Sequence, residues 1–200
     1  MAQKKSINDF QALMNKGQGF ARPARYEVVL HPPPGLAKLF PNTLTQGFSL
    51  MCDSITMPGK DLQTATMKHG QELARQYVES HVYEGTITAS FYLENNLQAK
   101  SFFEVWQNLA VANGSNNVNY YDDYVGKMHI YQLGSFDGEG DRDVPTYGLE
   151  ATEVYPATIS AVDYNYAGNN IVKINVGFNY KQWFNLTTDA IAGMEFGSSK

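Results

Sequence analysis

A mainly β (α+β) subunit with one flanking helix is the fold class this 200-residue sequence predicts. Three observations carry it. Aromatic residues make up 13% of the chain, with 13 Tyr and 11 Phe against 2 Trp, and Tyr and Phe favour strands. Two segments alternate apolar and polar residues with a period of two, the pattern of a strand with one buried and one wet face. In one, Ile87, Ala89, Phe91 and Leu93 oppose Thr86, Thr88, Ser90 and Glu94; in the other, Val172, Ile174, Val176, Phe178 and Tyr180 oppose Lys173, Asn175, Gly177 and Asn179. One internal segment, Leu97–Ala112, places Phe102, Val105, Trp106, Leu109 and Ala110 three and four apart, which is the stripe of a helix packed on a sheet.

The elements follow in order. Ser6-Ile7-Asn8-Asp9 reads as a capping box, and Ile7, Phe10, Leu13 and Met14 continue a short amphipathic helix that Gly17 and Gly19 end. Arg25–Leu30 puts Tyr26, Val28 and Leu30 on one side of a first strand, stopped by His31-Pro-Pro-Pro-Gly35. A second strand is expected from Gln46 to Cys52, with Phe48, Leu50 and Cys52 pointing one way. Ser54–Ser80 is polar and carries no sustained apolar period; segments of that length without structure of their own are usually functional or disordered. Its second half, from Gln71 to Tyr83, is expected to be an extended arm with little core of its own. Asn95 and Asn96 offer N-caps to the Leu97–Ala112 helix, and Asn113-Gly-Ser-Asn-Asn117 ends it. Tyr124–Leu133 reads as a strand with Tyr124, Met128 and Ile130 inward and Lys127 and His129 outward. Gly134–Gly148 reads as an acidic, Gly-rich loop, and Glu153–Tyr164 and Ile171–Trp183 as a hairpin around Ala167-Gly-Asn-Asn170.

Composition narrows the function. The net charge of −5 has the wrong sign for a protein that recruits nucleic acid by charge. A single cysteine, Cys52, makes no intrachain disulfide and reads as a small buried hydrophobe. The basic start has no apolar stretch behind it, and no run approaches the roughly 20 apolar residues that span a bilayer, so a soluble chain is expected. Gly138-Glu-Gly140 lacks the third glycine of a dinucleotide loop. His31, His69, His81 and His129 are scattered without ligand spacing, and no nucleophile-base arrangement occurs. No catalytic residue, cofactor site or metal site is therefore expected. Asp137-Gly-Glu139-Gly-Asp141-Arg-Asp143 spaces carboxylates as a calcium loop does, yet Arg142 stands at the turn glycine and Gly148 at the bidentate Glu. A solvated acidic turn is the other reading, and a channel-lining loop a third.

Four segments, in this order and spacing, carry a resemblance: Gly19-Phe-Ala-Arg-Pro-Ala-Arg-Tyr-Glu-Val-Val-Leu30, Cys52-Asp-Ser-Ile-Thr-Met-Pro-Gly59, Tyr83-Glu-Gly-Thr-Ile-Thr-Ala-Ser-Phe-Tyr92, and Tyr155-Pro156 through Asp163-Tyr-Asn-Tyr166 to Phe178-Asn-Tyr180. Together they resemble the tail tube proteins of contractile-tailed bacteriophages, a superfamily with the baseplate tube initiators and the type VI secretion needle-tube subunits. The resemblance spans residues 19–184, leaving 1–18 as an N-terminal helical extension and 185–200 as a tail.

The resemblance implies an antiparallel β-sandwich or split barrel, assembled as hexameric rings stacked into a tube through which DNA passes. It implies no enzyme activity, and places the chain in the virion tail after assembly in the host cytoplasm. Its implied partners are further copies of itself and the sheath, baseplate and tail-terminator proteins, with DNA as passing cargo and no membrane insertion. The repeating tube subunit is the first reading, with a tube initiator or baseplate protein and a type VI needle-tube protein as alternatives. Ser54–Ser80 then becomes an assembly arm, with Lys60, Asp61, Lys68, His69, Glu72 and Arg75 as its contact residues. Candidate channel-lining groups are Asp137, Glu139, Asp141, Asp143, Asn175 and Asn179, with Lys173 opposing an acidic wall. Six copies at −5 carry −30 per ring, a charge that repels DNA from the wall and leaves it mobile.

Overall fold

The two alternating segments pair with each other. β5 (Thr86–Tyr92) and β8 (Lys173–Asn179) run antiparallel, from Thr86 opposite Asn179 to Tyr92 opposite Lys173. Ile87, Ala89 and Phe91 therefore share a buried face with Phe178, Val176 and Ile174, while Thr86, Thr88 and Asn175 lie exposed on the other. The computed structural model describes residues 6–16, 20–40, 42–68, 70–83, 85–134, 145–162, 164–165 and 171–186. β1 (Tyr26–His31), β2 (Cys52–Ile55), β6 (Gly126–Leu133), β7 (Pro145–Ile159) and β9 (Gln182–Asn185) complete a seven-stranded sheet in the order β1-β6-β7-β8-β5-β2, with β9 against β7. β3 (Lys60–Met67) and β4 (Arg75–Tyr83) form a separate two-stranded sheet. Among the described residues no pairing joins β1 to β2, so the path is open rather than a closed barrel. The mainly β, antiparallel class is as the sequence predicts.

The chain divides into two compact units. The larger comprises Val29–Met128 and Ala151–Trp183. Its core is aromatic: α4 (Gln98–Ala110) turns Ala99, Phe102, Phe103 and Trp106 inward. There the rings of Phe103 and Phe178 lie 5.8 Å apart, Phe91 and Phe103 5.2 Å, and Trp106 and Phe178 6.5 Å. The Trp106 indole, fully buried, donates from Nε1 to the Tyr124 carbonyl at 2.7 Å. Tilted and edge-on ring pairs of this kind stabilise the core beyond what their buried area alone contributes. The buried stripe differs from the expected one: Phe103 joins it, while Val105, Leu109 and Ala110 are only half-buried. The helix meets the sheet along the face that carries Ala99, Phe102, Phe103 and Trp106.

Four further expectations change. Gln46–Cys52 is not a strand: after a short helix, α2 (Pro34–Ala37), Asn42–Met51 is a helix, α3, and β2 starts at Cys52. Phe48 and Cys52, four apart, are buried, whereas Leu50 between them is 90% exposed, so the period is helical. The reason is tertiary, since Phe48 fills the space beside Phe102 at 4.6 Å and Phe103 at 5.4 Å. Tyr121–Tyr124 is a short helix, α5, and β6 begins only at Gly126. β7 begins at Pro145, inside the stretch expected as loop. The cap of α4 also shifts: Leu97 occupies it with φ of 53°, and Asn96 Oδ1 accepts from the Gln98 amide at 3.3 Å. A left-handed leucine is strained by on the order of 1–3 kcal/mol.

Gly126 shows how tightly α4 is seated. A Cβ there would lie 2.4 Å from the His31 carbonyl oxygen and 3.0 Å from the Trp106 ring. Gly126→Ala is expected to destabilise the protein by about 1–3 kcal/mol, an overpacking cost, read as an earlier midpoint in urea unfolding; an unchanged midpoint would show that this backbone approach is not constrained.

The smaller unit comprises Met1–Val28, His129–Glu150 and Phe184–Lys200. Its helix α1 (Ile7–Lys16) has the predicted capping box, with the Ser6 amide donating to Asp9 Oδ2 at 2.9 Å and the Asp9 amide to Ser6 Oγ at 3.4 Å. Gln132 Nε2 donates to the Arg25 carbonyl at 2.8 Å, and Arg25 donates to the Gly134 carbonyl at 2.7 Å. His129, expected outward, is half-buried, 3.3 Å from Glu150 and 3.2 Å from the Tyr131 hydroxyl.

Candidate functional site

The polar segment after β2 folds into the β3–β4 hairpin. All of β3 except Ala65 and all of β4 except Tyr83 is exposed. The ladder runs from Lys60 opposite Tyr83 to Met67 opposite Arg75, with a register shift after Gln63 that leaves Glu79 as the extra residue. Alternation along the strands puts Leu62 and Val78 on one face and Met67, Tyr77 and Val82 on the other, each between 45% and 62% exposed. Apolar side chains thus stand in water on both faces of a two-stranded ribbon, a form that is marginal by itself.

The hairpin is held at its base. Trp183 Nε1 donates to the Gly59 carbonyl at 3.1 Å, the Tyr83 and Trp183 rings meet edge-on at 6.3 Å, and Lys60 Nζ stands 5.7 and 5.9 Å from their centroids. The residues named as arm contacts separate into two groups. Lys60 and Asp61 lie at this base; Lys68, Glu72 and Arg75 lie at the tip, roughly 25 Å away at strand rise, where Arg75 and Glu72 pair at 3.7 Å. His69 lies outside the described residues. The exposed Leu62, Met67, Tyr77, Val78 and Val82 were legible as apolar residues in a polar segment, yet charge drew the sequence reading instead.

The second surface is the polar face of β5 and β8. Asn175 is exposed there; Asn179 is half-buried, its side chain accepting from Thr86 Oγ1 at 3.3 Å and donating to the Tyr155 hydroxyl at 3.4 Å. Gly177 fits between them because a Cβ would stand 2.4 Å from Thr158 Oγ1 and 3.3 Å from the Thr86 methyl. Asp137, Glu139, Asp141 and Asp143 lie outside the described residues.

Lys173 does not oppose an acidic wall as a bare cation. Its Nζ reaches Asp53 Oδ2 at 2.8 Å and sits 4.8 Å from the Tyr92 ring centroid, while the Tyr92 hydroxyl donates to Asp53 Oδ1. The Lys173 and Tyr92 hydrogen bonds hold the Asp53 carboxyl below its ordinary value of 3.8, and Asp53 in turn raises Lys173. A lowered carboxyl stabilises the fold fully above its ordinary value and loses that contribution as pH falls through the lowered one. Asp53→Asn is therefore expected to lower Tm slightly at pH 7, the pair being solvent-screened, with the gap to the parent closing below pH 3.8. A gap that persists at pH 2 would assign the loss to packing.

A similar pair joins Glu153 of β7 to Lys181, between β8 and β9. Glu153, left-handed with φ of 54°, is bound by Lys181 Nζ at 2.6 Å, which with the Tyr121 hydroxyl holds its carboxyl low. Burial first, then Glu153, pushes the Tyr121 hydroxyl up to about 12. These groups are pinned to one another in structural pairs. Among the described residues no group of His, Cys, Asp and Glu is arranged to hold a metal ion, and no helix is long and apolar enough to cross a membrane.

No curated protein sequence matches the chain. Solved structures are similar in fold. A chain of the anti-feeding prophage (AFP) baseplate superposes with a TM-score of 0.57 at 14% identity, over 84% of this chain and 97% of that one. A chain of the sheath/tube terminator of the PVC extracellular contractile injection system gives 0.55 at 10% identity, over 83% and 96%. One from the PVC sheath-tube complex gives 0.55 at 9%, over 91% and 98%. The sequence model of the family described as phage tail tube protein matches residues 21–186, a span that takes in every strand of both sheets, so the chain belongs to the phage tail tube protein family.

Proposed function

We propose that this chain is the repeating subunit of a tail tube, a structural and non-catalytic protein that closes into six-membered rings and stacks them around a channel for DNA. The observation that carries this reading is the β3–β4 hairpin, whose apolar side chains face water on both sides in the single chain and become buried only against other copies. A heterologous contact that closes around a rotation axis makes a ring, and a second such surface stacks rings into a filament. The hairpin supplies one surface. The open ends of the sheet, β1 and β2, supply another, since an unpaired strand edge is satisfied by a neighbour's.

In this reading the polar face of β5 and β8 lines the channel. Thr86, Thr88, Asn175 and Asn179 make it neutral and hydrated, and the Asp53–Lys173 pair adds no net charge, so phosphates find no cationic anchor and release no counterions. The sheath, baseplate and terminator proteins then meet the outer surface and the two ends, in the virion tail, after assembly in the host cytoplasm.

Electron microscopy of the purified full-length chain over a concentration series tests the proposal. Sixfold tubes with the β5–β8 face inward are expected. Monomers at every concentration overturn the tube reading, single capped rings favour an initiator, and a channel wall dense in Lys and Arg overturns the assignment of its lining.

A further inference from the structure

Helix α1 lies outside the family-matched residues 21–186 and is a formed element with its own capping box. Ile7, Phe10 and Met14 follow three and four apart on one of its faces. Ile7 is 74% exposed, and the ring that Phe10 meets, Phe20 at 6.2 Å, is itself mostly exposed.

The larger unit carries a groove of matching chemistry. Two adjoining clefts at the N-terminal end of α4 share Leu97 and Tyr164; Ile159 and Val162 line one, Ile171 and Val172 the other. Tyr164 and Ile171 are 71% and 70% exposed. Among the described residues the charged groups at the clefts are Glu94, Glu104 and Lys100, and Lys100 is bound to Glu104, which leaves Glu94 as the unbalanced charge of that set. Residues 1–19 hold Lys4, Lys5 and Lys16 against Asp9, a net +2 in a chain of −5, so the remainder carries −7. In the single chain Ile7 and Phe10 of α1 and Tyr164 and Ile171 of the groove stand in water.

We propose that α1 of one copy docks into the Leu97–Tyr164 groove of a second copy, seating Ile7 and Phe10 on Tyr164 and Ile171 and setting the basic N-terminal segment against Glu94. This rests on the reading that the chain assembles with itself, and it adds a contact separate from the hairpin. Burying two large side chains on each partner strengthens every subunit junction, and the opposite charges orient the helix along the groove.

The test is disulfide trapping in full-length chains with the buried Cys52 replaced by Ala. Chains carrying Phe10→Cys are mixed with size-tagged chains carrying Ile171→Cys, assembled and oxidised, with Asn113→Cys, exposed at the far end of α4, as the control site. A docked pair reacts at a high effective concentration, so the mixed crosslink is expected at least ~10-fold above the Asn113 control. In unoxidised parent chains, Phe10→Glu is expected to raise the assembly threshold by ~10-fold or more, the equivalent of one lost apolar anchor. Tubes without the mixed crosslink overturn the docking and leave the tube reading standing. A crosslink formed only when both cysteines share one chain overturns it too, by making the helix its own groove's occupant. A mixed crosslink in small oligomers that never form tubes upholds the docking and sinks the tube reading, and the absence of both crosslink and assembly sinks both.

Discussion

Trp106→Ala is expected to destabilise the subunit by about 3–5 kcal/mol, the usual cost of truncating a buried aromatic. The indole is fully buried, packs on Phe102 and Phe178 at 5.7 and 6.5 Å, and its Nε1 satisfies the Tyr124 carbonyl. Removing it opens a cavity that the close backbone approach at Gly126 cannot collapse, and it leaves a carbonyl without its donor, which costs further. Chemical denaturation with fluorescence of the remaining Trp183 reads the loss; a variant that unfolds at the parent's midpoint would mean α4 is not the brace of the core.

The second large effect concerns assembly rather than folding. Replacing residues 61–82 by a short turn, with Lys60 and Tyr83 kept on Trp183, is expected to leave a folded monomer and abolish tubes at every concentration. The described residues of the hairpin contribute no side chain to the aromatic core, so its removal is expected to spare that core and to take away surface that other copies bury. Circular dichroism and electron microscopy of the same preparation separate the outcomes. A shortened protein that fails to fold assigns the hairpin to the subunit's own stability, and one that still forms tubes at the parent's concentration removes the hairpin from assembly.

These two predictions differ in how far they were readable in advance. Trp106 was placed in the core by its position on a 3.6-residue stripe, and the arm was marked by what it lacked, a sustained apolar period across Ser54–Ser80. Where two periods fit the same residues the reading failed: Phe48, Leu50 and Cys52 satisfy a strand's alternation, while Phe48 and Cys52 alone satisfy a helix. Only the aromatic cluster of Phe91, Phe102 and Phe103, brought together from two distant segments, selects the helix. Propensity is a weak prior that such packing overrides.

What the sequence determined by itself is therefore local or strictly periodic: the capping box of α1, the α4 stripe, the alternation of β5 and β8, the sign of the charge and the family resemblance. Each is written in neighbouring residues and needs no partner from elsewhere in the chain. Tertiary structure alone decided the order of strands in the sheet, the helical state of Asn42–Met51 and the pairing of Lys173 with Asp53 across 120 residues. It also decided which faces of the β3–β4 hairpin expose apolar groups. These depend on strand register and on which distant side chains arrive beside one another, and a one-residue change in register inverts every face it sets.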